Sequence, residues 1–254
     1  MKRKFLACLV AAALTLTVPF YAEEGQKVEF PDLGLNLAVP EGFEVLTRET
    51  KTGDPALDAV GITESQMQKI FTDQNIYLDA LNLTDFTELV LTSRQDYSIR
   101  VLEDMRKMSD RQIEELSQEI QGLTKEDLED ADSTGVTANV DGFAFEKPER
   151  FETEDALFLR VESRVNQGSA VMYGVTYTTI VGGRQFTFTY RSLQGVELED
   201  EQRAEMETII KSMVFKDSIK AGSGAAAAGV QGEEGGFPTA LIAAIVVGVL
   251  VIAG

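Results

Sequence analysis

The clearest pattern along the chain is alternation. In residues 29–39, Leu33, Leu35, Leu37 and Val39 fall on every second position, which predicts two short strands around Pro31-Asp32. Pro40, Glu41 and Gly42 read as a turn, and a strand resumes over 43–47. The period then changes. In residues 63–72, Met67, Ile70 and Phe71 share one helical face, and Thr63 with Gln66 has the spacing of a capping box. Strands are predicted over 75–83 and 87–93, with a turn near Thr84-Asp85.

Residues 98–129 read as helical. Ile99, Leu102, Met105 and Arg106 suggest a first helix. Ser109 with Gln112 caps a second, with Ile113, Leu116 and Ile120 on its apolar stripe; Gly122 interrupts it, and Thr124 with Asp127 starts a short third. Strands follow over 136–140, 142–146, 156–165, 170–181 and 185–192. Gly182-Gly183 joins the last two as a tight hairpin. Phe186, Phe188 and Tyr190 lie on one face of the final strand, where they are sheet residues to be packed; Thr187 and Thr189 take the other face. An amphipathic helix over 199–213, with Met206, Ile209, Ile210 and Met213 on one stripe, closes the region before Phe215. This order predicts an α+β domain, an antiparallel β-sheet sandwich with flanking helices, over residues 23–215.

The two ends have a different pattern. Lys2, Arg3 and Lys4 precede an uncharged apolar run over 5–17, then Pro19, the small Ala22 and Glu23-Glu24. That order predicts an N-terminal signal peptide over 1–22, with an uncleaved anchor as the alternative, since Phe20 is large for a position three before the cut. Residues 216–236 are rich in Gly and Ala and read as a flexible linker. Residues 237–254 carry no charge and, at about 1.5 Å per residue, span about 27 Å, which predicts a C-terminal transmembrane helix. No basic residue follows Gly254, so a truncated tail or a lipid-anchor signal stays open. The expectation is a single-pass cell-membrane protein with its main domain on the extracytoplasmic side, held to the lipid bilayer by the C-terminal span.

Composition then narrows the chemistry. The 254 residues include no His, no Trp and one Cys, Cys8, which lies in the removable N-terminal run. A mature chain without His or Cys has no imidazole base, no Cys/His zinc site, no disulfide and no thiol nucleophile. The 42 acidic residues all lie at or after Glu23; against the 20 basic residues that remain without the N-terminal segment, they give a net charge near −22. Such a surface repels nucleic acid and anionic headgroups.

Three features together resemble the PsbP-like superfamily. They are the strand pair from Phe30 to Phe43, with Asp32, Leu35, Leu37, Pro40 and Gly42 between, the Thr-rich aromatic hairpin from Tyr173 to Tyr190, and the helix ending Ile209-Ile210-Lys211-Ser212-Met213-Val214-Phe215. The resemblance covers residues 28–215 and departs in length and helix content over 81–129. It implies an αβα-type sandwich and a non-enzymatic binding or assembly role. It transfers no catalytic residue.

Candidate constellations are few. Asp130, Asp132, Thr134, Gly135 and Asp141 are spaced like an EF-hand loop, but Thr137 stands where an apolar residue belongs, and strand rather than helix is predicted to follow. A helix-to-strand turn is the simpler reading. The pairs Glu152/Glu154 and Glu126/Glu129 are what so acidic a chain yields by chance. Asn82-Leu83-Thr84 is a glycosylation sequon in a glycosylating host, or simply the end of a strand. Arg94, Tyr97 and Arg100 read as surface and salt-bridge groups. No catalytic, cofactor-binding or metal-ligating residue is assigned. The expected function is a binding or assembly role with a protein partner at the membrane surface. A carboxylate-based hydrolase and a membrane-surface ligand or cation sensor are the alternatives.

Overall fold

A computed structural model describes residues 25–95, 104–127 and 140–220. The signal peptide, the span over 237–254, most of the linker, the Asp130 to Gly135 loop, Tyr97 and Arg100 lie outside the described residues. Among the described residues, no helix is long and apolar enough to cross a membrane.

Two antiparallel sheets form the framework. The small one has the order β1-β2-β11, with β1 Gln26–Phe30, β2 Leu35–Val39 and β11 Val214–Phe215. The large one begins β3 Phe43–Thr47, β4 Ile76–Asn82, β5 Thr87–Arg94 and continues β10 Arg184–Ser192, β9 Ala170–Val181, β8 Leu157–Gln167, β6 Gly142–Phe145. A further strand, β7 Glu149–Glu152, also pairs with β8. Helices among the described residues include α1 Pro55–Val60, α2 Glu64–Asp73, α3 Asp110–Gly122, α4 Asp200–Lys211 and α5 Asp217–Lys220. The mixed, antiparallel α+β class is as expected.

Register assigns the side chains to faces. Phe186, Phe188 and Tyr190 of β10 pair with Thr179, Tyr177 and Val175 of β9, and with Ser93, Leu91 and Leu89 of β5. This face is covered by the small sheet and α4, so Leu35, Leu37, Met206, Ile209 and Ile210 share one core with the three aromatics. All three aromatics are fully buried, each ring worth about 1.5–3 kcal/mol relative to exposure. The opposite face is also covered. Near β3 and β4, α1 and α2 pack Leu57, Met67 and Phe71 against Leu46, Ile76 and Val90. Near β8, α3 packs Ile113, Leu116 and Ile120 against Leu157, Leu159 and Ile180. Helices therefore flank the large sheet on both sides.

Local chemistry explains the element ends. Both expected capping boxes form, Thr63 with Gln66 and Ser109 with Gln112. Thr124 and Asp127 make the same reciprocal bonds. Gly182 and Gly183 both have positive φ, 60° and 72°, as a two-residue hairpin of matching twist needs. The fold continues through Lys220, into the first residues of the stretch read as linker. The Lys216 N–H donates to the Gly34 carbonyl at 2.8 Å, and Ile219 packs onto the main core. Side chains at Gly34 or Gly182 would run into Ile219.

Candidate functional site

Between the two helix-covered patches of the second face lies a buried polar stripe. Thr92 and Thr187 pair across β5 and β10; Thr178 pairs with Thr187, and Thr176 with Thr189, across β9 and β10. The hydroxyls of Thr176 and Thr189 are 3.2 Å apart, and those of Thr178 and Thr187 3.3 Å, so they satisfy one another. At one end of the stripe stand three charged groups on adjacent strands. Glu88 of β5 and Arg191 of β10 are opposite in register and form an ion pair, both largely buried. Asp79 of β4 lies against Glu88, and its Oδ1 is buried with no hydrogen-bond partner among the described residues. Burial first, then the charge of Glu88, pushes the Asp79 carboxyl up to about 8; Arg191 opposes this. Burial and the neighbouring Glu88 thus favour the neutral form of Asp79.

The first face carries a second ionic group beyond α4. Glu162 of β8 accepts from Arg203 of α4 at 3.2 Å through both carboxylate oxygens and also pairs with Arg160. Burial works against ionisation there, but the two guanidinium groups hold Glu162 below its ordinary value. Arg160 Nε also donates to the Tyr177 hydroxyl at 3.2 Å, and burial pushes that phenol up to about 12. Glu162 and Arg203 line a cleft of about 250 Å³ with Arg164, Tyr173, Glu146 and Glu197. Asp79 lines neither this cleft nor a second of about 480 Å³ between residues 167–172 and 191–195. Among the described residues, no three acidic side chains converge to hold a metal ion.

At the end of the sheet nearest Glu88, the surface turns apolar. The four residues 83–86 connect β4 to β5, and Asn82 shapes the turn: its Oδ1 accepts from the N–H groups of Thr84 and Asp85, both at 3.0 Å, and its Nδ2 donates to Asp85 at 2.9 Å. Phe86 adopts a left-handed φ of 52°, strained for a bulky side chain. The Leu193 N–H donates to the Phe86 carbonyl at 2.8 Å, which brings the β10–α4 connection alongside. Leu83, Phe86, Leu193 and Val196 are all exposed, by 42 to 55 %. Beneath them, the Tyr190 hydroxyl donates to Glu205 at 2.6 Å and contacts Thr87 at 3.0 Å. Burial raises the Glu205 carboxyl, and the charge of Asp85 raises it further.

The residues singled out from sequence are placed as follows. Asn82 is a buried turn-former rather than an exposed acceptor. Asp141 caps the β8–β9 hairpin by accepting from the Gly168 N–H. Glu152 and Glu154 are both exposed, and Glu152 pairs with Arg150. Glu126 is exposed, while Glu129 lies outside the described residues. Asp79, Glu88, Arg191 and the apolar turn were not singled out.

No protein-family model matches the chain, and no curated protein matches it. Solved structures to which the chain shows some similarity include the solution structure of cyanobacterial PsbP (CyanoP) from Synechocystis sp. PCC 6803, at 12 % identity and a TM-score of 0.44, over 75 % of this chain and 92 % of that one. A crystallised protein from Bacteroides thetaiotaomicron matches at 9 % identity and a TM-score of 0.38, over 76 % of this chain and 49 % of that one.

Proposed function

We propose that this chain is a non-enzymatic binding or assembly module, exported and tethered to the outer face of the membrane by its C-terminal span. The observation that carries the binding role is the grouping of Leu83, Phe86 and Leu193 at one end of the sheet, with Val196 on the same connection. Scattered single apolar residues are ordinary on a surface; a group on two hydrogen-bonded connections suits contact with another molecule. The order of a basic N-terminal segment, an apolar run, the domain, a Gly/Ala-rich stretch and an uncharged terminus supports the export and tether. A tether raises the effective concentration of the domain near membrane partners.

The test is crosslinked affinity capture of the full chain from membranes of its own host, beside a chain lacking 237–254. Partners retained with the span and lost without it are expected. A chain recovered in the soluble fraction, or no enrichment after crosslinking, would overturn the reading.

A further inference from the structure

The two connections that carry the exposed apolar residues share a second property. Residues 82–90 contain Asp85 and Glu88, residues 192–202 contain Glu197, Glu199, Asp200 and Glu201, and neither segment contains Lys or Arg. The nearest guanidinium groups are already engaged: Arg191 pairs with Glu88, and Arg203 with Glu162 and Asp200. Glu88 is buried in its pair with Arg191 and Asp200 pairs with Arg203, but Asp85, Glu197, Glu199 and Glu201 are exposed and make no ion pair among the described residues, which gives the apolar centre an acidic rim. Its geometry is built in rather than incidental. Asn82 pins the turn with three hydrogen bonds, and Phe86 is held at a positive φ that Gly would adopt without strain. A large aromatic kept exposed at a strained position is an outlier that points to use.

Resting on the binding reading above, we infer that the surface formed by Leu83, Phe86, Leu193 and Val196 docks a protein segment whose apolar side chains are flanked by Lys or Arg. The acidic rim selects this occupant. A second copy of the chain would bring a like-charged rim against this one, and anionic headgroups would be repelled in the same way. The apolar centre supplies the contact area, while the rim supplies encounter rate and discrimination.

The test uses the full chain in phosphatidylcholine nanodiscs and two synthetic probes, a short peptide of alternating Leu and Lys and its Leu/Glu counterpart. Binding is followed by fluorescence anisotropy and by backbone amide shifts. The Leu/Lys peptide is expected to bind, to weaken with added salt and to shift residues 83–86 and 193–197. Phe86→Gly and Leu193→Ser should each weaken it by about tenfold or more. Because Gly relieves the positive φ, Phe86→Gly should melt no lower than the parent, separating loss of binding from loss of fold. Equal binding by the Leu/Glu peptide, an affinity unchanged in both variants, or shifts spread over the helices would overturn the inference. Self-association abolished by Phe86→Gly, or binding of the chain to free phosphatidylcholine vesicles through this patch, would replace the occupant and overturn it as well. Membrane partners captured equally by the parent and Phe86→Gly would overturn the inference while leaving the broader binding role standing.

Discussion

Asp79 is a carboxyl group whose protonation is tied to the folded state. The folded chain holds its proton up to about pH 8, whereas an unfolded Asp releases its proton near ~3.9. Between those values the folded state binds the extra proton. The stability linked to Asp79 is therefore fully present below the unfolded value and is lost as pH rises through the folded one. Urea titrations should show the parent losing stability from about pH 5 to about pH 8 and levelling off above, and Asp79→Asn, which has no proton to release, losing less. Parallel curves for the two proteins would contradict this account. Glu88 is a different case, because Arg191 is committed to it; Glu88→Gln would leave a guanidinium largely buried without its counterion.

Turns and helix ends are where substitutions separate by element. Gly182 needs a left-handed φ and has Ile219 against its Cα, whereas Gly53, also at positive φ, has open space around it. Gly182→Ala should thus destabilise by about 2 kcal/mol or more, and Gly53→Ala by about 1 kcal/mol, as measured by chemical denaturation. Equal losses would mean that the Ile219 contact carries no weight. Legibility in the sequence follows the same physics. Strands with one clean apolar face, such as residues 35–39, and helices with capping boxes at Thr63 and Ser109 were readable, because local pattern and tertiary packing agree there. The short α1 was missed: six residues give no periodicity, although Asp54 caps it, Pro55 opens it and Gly61 ends it. Strand β7, Glu-Arg-Phe-Glu, was missed because its place depends on pairing with β8 rather than on alternation. Asp79 falls on the face opposite Leu78 and Ala80, which reads as a solvent face in a one-sided sheet; here both faces are covered, so the same alternation buries a carboxyl. Phe86 could not be singled out, since exposure and a positive φ in a turn have no period in the chain.

At the scale of the molecule, the large sheet is the shared wall of three cores, one on its first face and two on its second. The first face is closed by parts from opposite ends of the described chain: β1 and β2 near its start, and α4, β11 and α5 near its finish. This closure has a mechanical meaning. Near the end of the described residues, Ile219 is pegged between Gly34 at the entry to β2 and Gly182 at the tip of the β9–β10 hairpin. A pull on the C-terminus must first draw that peg. It must then open the two-residue pairing of β11 with β2 and the 2.9 Å bond from the Phe215 N–H to Asp155. In optical-tweezer traces with a handle at the C-terminus, the parent should show a small extension step before the main rupture, and Ile219→Ala should lower the force of that step while leaving the main rupture unchanged. An unchanged first step would show that the peg bears no load. Tension applied at the C-terminus is expected to be taken up in residues 214–220 before it reaches the large sheet, with slack returning as Ile219 reseats.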